Sequence, residues 1–300
     1  MKLRWIVSAA AVVCLVYAAY LAWGLPSRAA VGELAAKNPG LTRVMQQRDE
    51  EAKRAKRPAR REQVWVPLAR VSRHLIHAVI AAEDPKFFGH EGIDWDAIKE
   101  SAETDWKKKS FVRGGSTITQ QTAKNLFFGT RKSVTRKLRE LVVARRLEAA
   151  LPKRRILEIY LNIIEWGDGL YGCEAAARRY YGKSAADLDE NEAAGLAAMI
   201  PSPRRLNPVV SPARHAQAQR RVLWLMAHAG YIQRDVGSLG AEPPAPPEEP
   251  DDESVEPPPA PEEPAPAPRA TPQDATPPEP QPEPSPSPSE PESTPPPSPA

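Results

Sequence analysis

From Ala241 to the C-terminus the chain is built of Pro, Glu, Ala and Ser, and most of its 35 prolines lie there. With almost no large apolar side chain, such a segment cannot bury enough surface to offset the entropy of ordering. Residues 241–300 are therefore expected to form a disordered tail, partly polyproline II. The tail carries about −13 of charge against a formal +3 for the whole chain, leaving about +16 on the remainder. A basic excess of that size suits an anionic partner.

The other end constrains the chain as strongly. Trp5–Leu25 is uncharged over about 21 residues, long enough to cross a bilayer as one helix. Lys2 and Arg4 precede it, which places residues 1–4 in the cytoplasm and the rest outside. The apolar run exceeds the core of a secretory leader, and no small-x-small site precedes Pro26, so 5–25 reads as an uncleaved anchor. Residues 26–62 are polar and end in KRAKRPARR, which fits a basic juxtamembrane stalk near anionic lipid or a solvated linker. The two cysteines, Cys14 and Cys173, offer neither a disulfide framework nor a Cys-based metal site. What remains, residues 63–235, has the length of one ordinary domain.

Nearly every periodic segment in that domain reads as helix. An apolar run ends at Glu83-Asp84-Pro85. Asp94 can cap a helix to about Lys107. Thr117 with Gln120 has the capping-box pattern and opens a helix to about Phe127. Ser133 can cap a long helix to about Ala150, with Leu138, Leu141 and Val142 on one face. Lys153–Ile164 follows, with Ile156, Tyr160 and Ile163 on one side. Helices over 174–181, from Asp189 to Pro201, and from Ser211-Pro212 to Gly230 complete the series. Strand signals are scarce, so the fold class is mainly α.

Four constellations carry the chemistry. In the first, AVIAAEDPKFFGHEGIDW, a helix ending at Glu83 aims the negative end of its dipole at that carboxylate. Apolar neighbours add desolvation, and both effects raise its pKa toward the range of a general base. Asp84, Phe87, His90 and Gly92 follow. The second is Gly114-Gly115-Ser116-Thr117-Ile118-Thr119-Gln120-Gln121, continuing to Lys124-Asn125. A glycine turn entering a helix presents free backbone N–H groups that suit an anion such as phosphate. In the third, Arg136 and Glu140 share a helix face beside Lys137. In the fourth, Glu158 and Asn162 lie one turn apart.

Taken in order, EDxxFxxHxG, GGSTITQQ with KN, RKxxE and ILExYLN resemble the glycosyltransferase family 51 domain, over about Trp65 to Ile232. No S-x-x-K with a following K-T-G is found, so the chain looks like the monofunctional branch of that family rather than a penicillin-binding transpeptidase. The resemblance implies a lysozyme-like helical domain on the outer face of the inner membrane, polymerising lipid II into glycan strands. It implies Glu83 as general base and Glu140 as the second glutamate of the cleft. Lys124 and the cations Lys132, Arg136 and Lys137 would hold the pyrophosphate. Asp84, Phe87, His90, Gly114, Gly115, Ser116, Thr117, Gln120, Gln121 and Asn125 are carried over as substrate-binding, and Glu158 and Asn162 as support for the cleft. Implied partners are lipid II, the growing strand and the inner membrane, with penicillin-binding or other cell-wall and division proteins as candidates and no nucleic acid. No cofactor is required, although a divalent cation (Mg or Mn) at the pyrophosphate fits the family.

One position departs from the family pattern: Lys132 stands where arginine is usual, which keeps the charge and loses the bidentate fork. Asp94-Trp95-Asp96 spells a D-x-D, but a helix N-cap with a first-turn acid accounts for it without a metal. Trp106, Lys107 to Lys109 and Phe111 suit either a loop dipping into lipid headgroups or an exposed loop. Two rivals remain: a glycan-cleaving lytic transglycosylase or lysozyme, and a non-enzymatic scaffold built from the anchor and the proline-rich arm.

Overall fold

The computed structural model describes residues 2–108, 115–131, 133–233 and 242–247. Nearly all of the expected tail thus lies outside the described residues, as do Gly114, Lys132 and Lys109 to Arg113. Among the described residues the protein is mainly helical. The helices are α1 (Lys2–Trp23), α2 (Arg28–Gly32), α3 (Arg43–Arg54), α4 (Arg73–Glu83), α5 (Trp95–Lys108), α6 (Ile118–Ala123), α7 (Val134–Ala150), α8 (Lys153–Ile163), α9 (Cys173–Tyr181), α10 (Glu190–Met199) and α11 (Pro212–His228). Three short strands, β1 (Glu62–Gln63), β2 (Glu165–Gly167) and β3 (Leu170–Tyr171), form one sheet in the order β1-β3-β2. β1 runs parallel to β3, and β2 antiparallel to it.

The centre of the domain is α8. Ile156, Leu157, Ile159, Tyr160, Leu161 and Ile163 are all fully buried, so beyond its first turn the helix is buried on more than the single face expected. α6, α7 and α9 pack around it, while α4, α10 and α11 make a neighbouring layer. Sequence-level caps hold at several ends. Asp189 and Glu192 form the reciprocal capping box of α10, Ser133 accepts from Arg136 N at the start of α7, and Gly182 closes α9 in the left-handed region.

Two expectations are corrected. Residues 26–62 are not a stalk outside the domain. Val31 and Leu34 enter the main core, and Val44 and Met45 pack with Tyr171. Gln47 Nε2 donates to Thr130 Oγ1 at 2.7 Å, and Arg48 meets Glu165 at 2.9 Å. A few apolar side chains spaced along a highly charged segment suffice, because the charges pair or face water. The span expected over 5–25 falls on α1, Lys2–Trp23. Among the described residues no single helix is long and apolar enough to cross a membrane; Val7–Trp23 and Arg28–Ala35 pass the test only as a pair bent by 43°. The break follows Gly24 and Pro26.

The second correction concerns α7. The face of Leu138, Leu141 and Val142 turns outward, with Leu138 36% and Val142 44% exposed and Leu141 half-buried. The buried side carries Glu140, Val143, Ala144 and Leu147 instead. Inward rotation of Glu140 takes Arg136 and Lys137 partly inside as well. α7 also holds the end of α1: Arg139 donates to the Tyr20 and Leu21 carbonyls at 2.6 and 3.2 Å, two of the groups a helix terminus leaves free.

Candidate active site

α4 ends at Glu83, as its dipeptide Glu-Asp before Pro85 predicts, and Asp84 is its C-cap. Glu83 is half-buried and accepts a hydrogen bond from Gln121 Nε2 at 2.6 Å. The Gln121 carbonyl oxygen in turn accepts from the Tyr160 hydroxyl at 3.1 Å. Burial raises the Glu83 pKa above the usual carboxylate value; the Gln121 hydrogen bond and the Lys124 charge pull it back, and Asp84 adds a small upward push. Burial also pushes the Tyr160 phenol well up, so it remains a neutral donor. Tyr160 was not among the expected site residues. Its signal was its place in ILExYLN, one turn from Ile156 on a face read only as core.

Asp84, Phe87 and His90, expected as substrate-binding, are each engaged with neighbouring parts of the protein. Phe87 is fully buried, with Lys153 Nζ 4.5 Å over its ring. Asp84 is 4% exposed and accepts from Ile118 N at 3.0 Å. It also meets His90 Nε2 at 2.9 Å. Because Gly92 N–H donates to His90 Nδ1 at 3.0 Å, the neutral ring carries its proton on Nε2 and donates to Asp84. Burial raises the Asp84 pKa, and His90, Ile118 N and Lys153 oppose the rise.

At the start of α6, where an anion site was expected, the protein itself supplies acceptors for two backbone N–H groups: Ile118 N donates to Asp84, and Gln120 N to the Thr117 hydroxyl at 3.2 Å. Thr117 and Gln120 are buried, and both donate to the Gly92 carbonyl, so they join segments rather than line an open cleft. The capping box is only half formed, since the Gln120 side chain does not return to Thr117. Gly115 has a φ of +88°, and a Cβ there would approach Ser101 Oγ to 3.1 Å, so the turn requires glycine.

Positive charge gathers one turn further on. After α6 the chain makes a single wide π turn over Lys124–Phe128, closed by Gly129 N donating to Lys124 O at 2.9 Å. Asn125, 6% exposed, donates to the Gln121 carbonyl at 2.8 Å and so braces this turn. Such turns interrupt helices frequently at functional sites. Lys124, at its head, feels Glu140 and Glu83 on one hand and Arg136 and Lys137 on the other; burial is the largest influence and lowers its pKa. Arg136 lies 3.2 Å from Glu140 and donates to Gly129 O at 2.8 Å. Lys137 lies 3.5 Å from Glu140 and donates to Ser116 Oγ and Gln120 Oε1 at 2.8 and 2.7 Å. Burial lowers the Lys137 pKa too. Glu140 itself is 2% exposed, so it stands behind the cations as their counter-charge.

Glu158 and Asn162 do tie elements together. Glu158 accepts from Leu68 N at 2.9 Å, and Asn162 exchanges bonds with Val66 N and O, both at 2.9 Å. The D-x-D is a cap and a surface pair: Asp94 accepts from Ala97 N at 2.9 Å and Asp96 meets Lys86 at 3.0 Å. Among the described residues, no three His, Cys, Asp or Glu side chains converge as a metal site would require. Gly114, Lys132 and the proposed lipid-dipping residues Lys109 and Phe111 lie outside the described residues.

A family model described as transglycosylase matches residues 49–227, which contain every constellation above. The chain belongs to the transglycosylase family. The family match begins inside α3, in agreement with the packing of that helix on the domain. Similar relatives include three proteins named biosynthetic peptidoglycan transglycosylase. That of Methylobacillus flagellatus is 59% identical over 140 residues, covering 47% of this chain and 61% of the relative. That of Dechloromonas aromatica is 52% identical over 167 residues, 56% of this chain and 72% of the relative. That of an Azoarcus species is 44% identical over 211 residues, 69% of this chain and 91% of the relative.

Proposed function

We propose that this transglycosylase-family chain is a peptidoglycan glycosyltransferase. It polymerises lipid II into β-1,4-linked glycan strands and releases undecaprenyl pyrophosphate. The observation that carries the reading is the Glu83 carboxylate, with its raised pKa, sharing one charged site with Lys124, Glu140, Arg136 and Lys137. Glu83 takes the proton of the acceptor GlcNAc 4-hydroxyl as that oxygen attacks the donor MurNAc C1. The bond from C1 to the phosphate oxygen breaks, its electron pair leaves with the diphosphate, and the anomeric centre inverts. Lys124, Arg136 and Lys137 meet the charge that develops on the leaving group. Glu140 keeps those cations apart and oriented without touching the sugar. If Mg or Mn takes part, its oxygen ligands come chiefly from the diphosphate.

The domain is read as lysozyme-like, held at the outer face of the inner membrane by the N-terminal helices, with the N-terminus cytoplasmic. Penicillin-binding and division proteins are the partners its product calls for. A glycan-cleaving enzyme would have no use for the cationic cluster, because its leaving group carries no diphosphate. Glu83→Gln, assayed on labelled lipid II in detergent, should lose nearly all polymerisation with the fold retained. Retained polymerisation, or release of fragments from purified sacculi by the parent protein, would refute the assignment.

A further inference from the structure

The Tyr160 hydroxyl is fully buried and, among the described residues, donates to the Gln121 amide, whose other end is 2.6 Å from Glu83. An amide can present either its oxygen or its nitrogen to a neighbour, and its direction follows from the bonds around it. With the phenol donating to Oε1, the Gln121 Nε2–H group faces the Glu83 carboxylate. The reverse direction would aim a carbonyl at that carboxylate and leave the buried phenolic proton without an acceptor. We propose that Tyr160 is a positioning residue for the glycosyl transfer, acting through Gln121 to hold Glu83 in the ionised, proton-accepting state. The inference rests on the assignment of Glu83 as general base.

The direction of the effect follows from the groups around Glu83. Burial favours the protonated form, which cannot accept a proton from the acceptor hydroxyl. Two groups oppose it: the Gln121 N–H and the Lys124 ammonium. Asp84, the adjacent acid, works against them, and its own charge is met by His90 and Lys153. Tyr160, from α8, contributes no charge while it is neutral. Removing its hydroxyl leaves the Gln121 carbonyl oxygen without that donor and frees the amide to turn, so Glu83 loses part of what keeps it ionised. The folded-state pKa of Glu83 then rises, and a larger share of the base is protonated at any pH on the acid side.

Tyr160→Phe removes one oxygen and keeps the ring that fills the core. Glu83 is titrated by difference infrared spectroscopy of the full chain in detergent, with Glu83→Gln as the blank and no substrate present. The midpoint should rise in Tyr160→Phe, and should not move further when the same change is made in a Gln121→Met background. In lipid II polymerisation, the acid limb should move to higher pH. Activity on that limb should fall about tenfold, the order expected for loss of a hydrogen bond to a charged group, while the plateau changes little. A midpoint unmoved by Tyr160→Phe, or moved equally in both backgrounds, overturns the inference. Because the titration needs no substrate, it stands or falls separately from the reading of the chain as a glycan polymerase.

Discussion

At the scale of single residues, the site trades stability for reactivity. Glu83 has a folded-state pKa above its ordinary value, so its ionised form weighs against folding. The penalty is present above the folded pKa, shrinks as pH falls through it, and vanishes below the unfolded value. Glu83→Gln should therefore melt at a higher temperature than the parent near pH 8, with the gap closing below about pH 4 in scanning calorimetry. Glu140 acts in the opposite sense on Lys124, where it is the foremost influence that favours the charged form. Glu140→Gln should lower the Lys124 pKa further. The alkaline limb of the pH–rate profile then moves to lower pH, and kcat/KM drops by at least about tenfold, because a cation meeting the leaving group is lost. An unchanged alkaline limb would show that Lys124 does not depend on Glu140.

At the scale of elements, the short helix α6 is set in place by a residue outside it. Asp84, at the end of α4, accepts from Ile118 N and from His90, and His90 is fixed by Gly92 N–H. Asp84→Asn would keep an oxygen for Ile118 N but turn an N–H group toward the His90 Nε2–H. The imidazole cannot relieve this by shifting its proton, since Nδ1 already accepts a bond. A loss of about 2 kcal/mol is expected in urea denaturation, the cost of leaving a buried polar group mispaired. The same reasoning explains what was legible along the chain. Caps at Thr117, Ser133, Asp189 and Ser211-Pro212 lie beside the helices they start, so short-range chemistry located those helices. The orientation of α7 could not be read that way. Leu138 and Val142 face outward while Glu140 turns inside beside Val143, Ala144 and Leu147, an orientation set by packing against residues far away in sequence.

At the scale of the molecule, the N-terminal third and the start of the tail both return to the domain. Arg155 donates to the Leu34 carbonyl at 2.8 Å, and Arg146 to the Pro26 carbonyl at 2.7 Å. Removing residues 1–55 would uncover the core where Val31 and Leu34 insert, so that variant should aggregate or unfold rather than yield a soluble domain. Among the described residues beyond 241, Arg221 and Gln217 of α11 donate to the Pro244 and Ala245 carbonyls at 2.8 and 3.2 Å. Pro243, Pro244 and Pro247 are half-buried while Ala245 and Pro246 are exposed, in a segment whose composition favours polyproline II. That conformation leaves its own carbonyls unbonded and open to such donors. Arg221→Ala should raise the mobility of Ala245 in NMR relaxation and leave polymerisation unaltered; unchanged relaxation would mean that the contact does not hold the segment.

Read alone, the chain specifies a mainly helical domain, several of its caps, the acid pair ending α4 and the ordered set of constellations that places it in its family. These are local: each is written in residues within a turn or two of one another. Only the tertiary structure decides that Asp84 accepts from Ile118 N at the start of α6, that Glu140 is buried beside Arg136 and Lys137, and that Tyr160 reaches Glu83 through Gln121. Each depends on separate helices, because burial and partners exist only once those helices have packed.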